Sequence, residues 1–101
     1  MNWINVLYNH NQEYIVKESA ILNAIKNVFS EIKHSKLLTN PRLDIDDQHS
    51  NLDIYLSVQV NNNKENLYSC VEEITNLIEH SVKLLIDKKP RNIQICLNNP
   101  L

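Results

Sequence analysis

Between Leu52 and Val60 the chain reads LDIYLSVQV. Leu52, Ile54, Leu56, Val58 and Val60 alternate strictly with Asp53, Tyr55, Ser57 and Gln59. Successive side chains of a strand point to opposite faces, so five apolar residues at period two specify a strand with one buried and one wet face. The same residues on a helix would scatter around the cylinder. A strand with a single apolar face needs neighbours to complete its ladder and a second layer of side chains to cover it.

The flanking sequence supplies both. Ile21, Leu22, Ile25, Val28, Phe29 and Ile32 recur at spacings of three and four, which predicts an amphipathic helix over 18–34. Leu67, Val71, Ile74, Ile78, Val82 and Leu85 do the same, with Cys70, Leu77 and Leu84 widening the face. Asn62 and Glu65 have the spacing of a capping box at the start of this second helix, and Pro90 is read as its stop. Ile93, Ile95 and Leu97 alternate as a closing strand. Arg42–Ile45 is a short strand candidate, and residues 37–41 before it read as a connection, since Pro41 disfavours helix at Asn40. Near the start, Ile4, Val6 and Tyr8 alternate up to NHNQ, and 14–16 is read as the return of a hairpin.

The expected fold class is therefore α+β, a two-layer sandwich. Two amphipathic helices pack on one face of a small mixed sheet, in the order β-α-β-β-α-β with an extra N-terminal strand. The 101 residues are read as one domain, with 1–12 as the additional strand and turn and 98–101 as a frayed tail.

Composition narrows the chemistry. The chain contains no glycine, which excludes a Walker-type phosphate loop, a GxGxxG dinucleotide turn and the GxxG clamp of KH modules. Asparagine is expected wherever a turn needs positive φ. The wealth of Asn, Ile and Lys suits an AT-rich genome. A net charge of −2 argues against a general nucleic-acid binder. Cys70 and Cys96 have no CxxC spacing, and MNWINVLYNHNQ lacks the basic start and apolar run of a signal peptide. With no long apolar run either, the expected location is the cytoplasm.

LDIYLSVQV, the Asn-rich break after it, and LYSCVEEITNLIEHSVKLLIDKKPRNIQICL together resemble the alkaline-shock-protein family of bacterial envelope stress proteins. EYIVKESAILNAIKNVFSEI is similar to that family's opening strand and helix. The likeness spans 13–97 and is one of pattern and element order. Glycines usual in the family are replaced here by NHNQ, HSKLL and DKKPR. The resemblance implies a small, often self-associating, non-enzymatic protein. It further implies a link to envelope homeostasis or stress, with attachment to the membrane only through partners.

Asp44, Asp46, Asp47, His49 and Asp53 are the residues that most resemble a site. DIDDQHSN lacks the glycine and terminal glutamate of a calcium loop, so the expectation is that Asp, Asn and Ser close a hairpin there. Metal binding by this hairpin remains the alternative. His10, His34, His49 and His80 form no HxxxH or HExxH pair and are read as solvent-exposed. Cys70 and Cys96 show no neighbours that would activate a thiol. The element order is also that of RNA-recognition modules. The outward row Asp53, Tyr55, Ser57 and Gln59, however, offers one aromatic beside an acid. No catalytic residue, cofactor or small-molecule substrate is assigned. The functional expectation is a protein-interaction or scaffolding domain, with RNA binding as the alternative.

Overall fold

The computed structural model describes residues 2–60 and 66–98. Its elements are β1 (Trp3–Asn9), β2 (Gln12–Lys17), α1 (Glu18–Glu31), β3 (Ser35–Leu37), β4 (Arg42–Ile45), β5 (Leu52–Val60), α2 (Leu67–Ile86) and β6 (Asn92–Asn98). The protein is α+β, with two helices and two small sheets.

β5 carries the larger sheet. One edge pairs in parallel with β6, from Asp53↔Asn92 to Gln59↔Asn98. The other edge pairs antiparallel with β4 over its first half and with β3 over its second. Between Leu37↔Val58 and Arg42↔Tyr55, residues 38–41 on this edge oppose only Leu56 and Ser57. The two extra residues interrupt the ladder in the manner of a bulge. β1 and β2 form a separate antiparallel hairpin, irregular between Leu7 and Asn9.

The alternation of LDIYLSVQV becomes burial without exception, all five apolar residues being at most 3% exposed. Leu52, Ile54, Leu56 and Val58 share one core with Ile4, Val6, Ile21, Ile25, Ile74, Ile78, Val82 and Ile86. Each such aliphatic side chain contributes about 1.5–3 kcal/mol on leaving water, before the entropy of ordering it.

Several expectations need correction. The first helix ends at Glu31, not at residue 34, because Ile32 turns extended (φ −93°, ψ 130°) to launch β3. Residues 37–41 are thus not all connection, and β3 is an element beyond the expected order. The second helix ends at Ile86, where Asp87 takes the left-handed conformation (φ 63°) and donates its N–H to the Lys83 carbonyl. The stop precedes Pro90. Leu77 and Leu84 do not widen the buried face, since they are 39% and 73% exposed, and Leu67 is half exposed. The proposed capping pair Asn62 and Glu65 lies outside the described residues. The N-cap of α2 is Asn66, whose Oδ1 accepts from the Tyr68 and Ser69 N–H groups. Asn98 belongs to β6, and the rest of the expected tail, 99–101, also lies outside the described residues. Among the described residues the positive-φ positions are His49 and Asp87, so no asparagine fills that role.

Candidate functional site

The acidic segment closes the β4–β5 hairpin. Asp46 accepts the Ser50 N–H on one carboxylate oxygen and the Ser50 hydroxyl on the other, each at 2.8 Å. Its own N–H donates to the Asn51 carbonyl, and the His49 N–H returns to the Asp46 carbonyl. The Ser50 amide is the main reason why the Asp46 carboxyl sits below its ordinary pKa, with the Ser50 hydroxyl and the Asn51 amide adding to it against a desolvation cost. Asn51 Oδ1 accepts from the Leu52 and Arg91 N–H groups, and its Nδ2 donates to the Lys89 carbonyl. The turn thereby also fixes the entry to β6.

Asp44 and Asp53 are engaged separately, while Asp47 is exposed. Asp44 pairs with Arg42 at 3.6 Å. Asp53 takes the Arg91 guanidinium in a two-pronged grip, Nε to Oδ1 at 2.9 Å and Nη2 to Oδ2 at 3.0 Å. That grip lowers the Asp53 pKa and raises that of Arg91. Among the described residues no three His, Cys, Asp or Glu side chains converge on a point that could hold a metal.

Two histidines are not the exposed residues expected from sequence. His34 is half-buried and bridges Ser35 Oγ (Nδ1, 2.7 Å) and Glu73 Oε1 of α2 (Nε2, 2.8 Å). His49 donates from Nδ1 to the Trp3 carbonyl at 2.9 Å and stacks on the Trp3 indole. The Asn5 N–H donates in turn to the His49 carbonyl at 2.7 Å. The β4–β5 turn is thus a latch on the N-terminal hairpin, a role that no local sequence signal announces. His10 and His80 are exposed, as expected.

Among the described residues, the larger sheet and the β1–β2 hairpin each present a surface to solvent. The outer face of the larger sheet presents Arg42, Tyr55, Gln94 and Cys96 around a shallow, polar groove of about 250 Å3. The Arg42 guanidinium carbon lies 4.2 Å from the centre of the Tyr55 ring, so the aromatic that would stack a base is already covered by a cation. Cys96 is exposed on this face, whereas Cys70 is buried in α2. The second surface is the β1–β2 hairpin, where Leu7, Tyr8, Tyr14 and Ile15 are 61%, 60%, 40% and 58% exposed. Tyr14 reaches back to donate its hydroxyl to the Leu85 carbonyl at 2.9 Å. On the hairpin face that carries Ile15 and Leu7, opposite Tyr14, an open groove of about 520 Å3 is lined by Asn2, Trp3, Ile15, Lys17, Glu18 and Ser19.

Among the described residues no helix is long and apolar enough to cross a membrane. Compared with known proteins, the chain matches no family model, no curated protein and no solved structure.

Proposed function

We propose that the protein is a non-enzymatic protein-interaction or scaffolding domain whose docking surface is the β1–β2 hairpin. One observation supports it above the others: Leu7 and Ile15 stand in water on one face of a short hairpin, and the neighbouring Tyr8 and Tyr14 rings, 5.7 Å apart, are exposed beyond its other face. Apolar surface concentrated in this way marks association sites, whereas singly scattered residues do not.

In this reading α1 and α2 form one layer of a two-layer sandwich, and the sheet around β5 forms the other. The burial of alternate β5 residues supports that arrangement. The protein acts in the cytoplasm. In keeping with the likeness of 13–97 to alkaline-shock proteins, it serves envelope homeostasis or stress and reaches the membrane through a partner. Single-stranded RNA on the sheet face is the alternative, with weaker support, because Arg42 covers Tyr55 and Asp44 and Asp53 stand nearby.

Affinity capture from native lysate with the wild type and an L7S/I15S variant tests the reading. The expected result is a protein partner that is retained by the wild type and lost with the variant. Salt-sensitive RNA retention by both proteins, with no protein partner, would favour the alternative.

A further inference from the structure

We infer that the outer edge of β2 pairs with the same edge of a second copy of this chain, antiparallel and centred on Ile15. This rests on the docking role assigned to the hairpin and names its occupant.

The direction of the backbone groups is fixed by the latch. The Asn5 N–H donates to the His49 carbonyl and the Trp3 carbonyl accepts from His49 Nδ1, so both point away from β2. Asn5 stands opposite Ile15, and Trp3 opposite Lys17. In an antiparallel ladder such a pair turns its polar groups away on both strands. Ile15 therefore aims its N–H and C=O at the outer edge of β2, as do Glu13 and Lys17 two residues to either side. No strand pairs with that edge within the described residues, and Ile15 is 58% exposed there.

The side chains select both the occupant and the register. Glu13 and Lys17 flank Ile15 symmetrically. When two copies meet about a two-fold axis through Ile15, Ile15 opposes Ile15 of the second copy, and each Glu13 opposes a Lys17. The two Ile15 residues exchange both backbone hydrogen bonds, and each Lys17 N–H meets a Glu13 carbonyl. The Lys17 carbonyl, at the N-cap of α1, serves the helix. Sliding the partner by two residues in either direction sets Ile15 against a charged side chain. A further step sets Glu13 on Glu13 or Lys17 on Lys17. Only the Ile15-centred register joins opposite charges and like apolar groups, the combinations that stabilise cross-strand neighbours. The groove beside Ile15 and Lys17 leaves room for the partner's side chains. Pairing turns a two-stranded hairpin, marginal by itself, into a four-stranded sheet.

The test is sedimentation across a wide concentration range with wild type, E13K and K17E. The wild type is expected to show a reversible monomer–dimer equilibrium. Each variant places like charges opposite one another at both ends of the interface, and its Kd should rise by about tenfold or more. An equimolar mixture of E13K and K17E restores opposite charges at both ends and should recover the dimer as a heterodimer. Both residues are exposed, so circular dichroism melts should match the wild type and separate loss of pairing from loss of fold. A wild type that stays monomeric at every concentration, or a dimer indifferent to both variants, would overturn the inference. A monomeric wild type that still captures another protein through Leu7 and Ile15 would remove self-pairing alone and leave the wider docking role standing.

Discussion

The Trp3 indole lies almost flat on the His49 imidazole, ring centroids 4.0 Å apart and planes inclined by 10°. Forty-six residues separate the two in sequence, and the stack is locked by the Nδ1 bond from His49 to the Trp3 carbonyl. Hairpin and domain are therefore joined through a turn residue. His49→Ala should remove the stack and this bond while leaving the buried core untouched. Trp3 is the sole tryptophan, so its emission reports the site directly. The expected outcome is a red-shifted emission and faster hydrogen exchange at the Asn5 amide, with the core amides of β5 still protected. Unchanged Trp3 emission would show that the stack does not form in solution.

Burial decides the cost of truncation. Ile54 is fully buried between Leu43 and Ile93 on neighbouring strands, and Ile54→Ala should cost about 2–5 kcal/mol in urea denaturation. Leu84, 73% exposed, removes the same kind of side chain from water's side of α2, and Leu84→Ala should stay within about 0.5 kcal/mol. Equal effects would contradict the placement of the α2 face.

The start of α2 depends on one side chain. Asn66→Ala leaves the Tyr68 and Ser69 N–H groups without their acceptor and should cost about 1 kcal/mol, read as a lower thermal midpoint. Asn66→Asp keeps an acceptor oxygen and should retain most of the stability.

Acid should weaken the protein through Asp46 and Asp53. Both carboxyls are held below their ordinary pKa, Asp46 chiefly by the Ser50 amide and Asp53 chiefly by Arg91. Their contribution is thus complete above the unfolded value of about 3.9 and is lost as pH falls through the lower, folded values. Melts between neutral and strongly acidic pH should be flat down to about pH 4 and fall below it. D46N and D53N should each flatten that acid limb. A limb unchanged in both variants would show that other carboxylates carry it.

What the sequence made legible were features decided by near neighbours. The β5 alternation needed only its own nine residues, and Asp46, Ser50 and Asn51 close a turn within reach of one another. The end of α2 was missed although it is local, Asp87 bonding Lys83, but most of the misses involve distant partners. Ser35–Leu37 is too short to show a period and becomes a strand only because Val58–Val60 accepts it. That pairing also cuts α1 short. His34 looks like a polar helix residue until Glu73 of α2 comes within 2.8 Å. Leu84 keeps helical spacing with the core residues, yet among the described residues its side chain is left 73% exposed, and periodicity cannot say how wide a covering layer will be. The exposed apolar hairpin was similarly hidden, because Leu7 and Ile15 read as ordinary strand residues until their face proves to be uncovered.

The two left-handed residues have a counterpart in the unfolded chain. Holding His49 at φ 55° and Asp87 at φ 63° costs the native state on the order of 1 kcal/mol each, a cost that glycine would largely avoid. A chain with no glycine anywhere, however, samples fewer conformations before it folds and has less disorder to surrender. The strain visible at the two turns is offset by a stiffness spread along the whole polymer. Part of what keeps this protein folded therefore resides in the conformations its unfolded chain is denied.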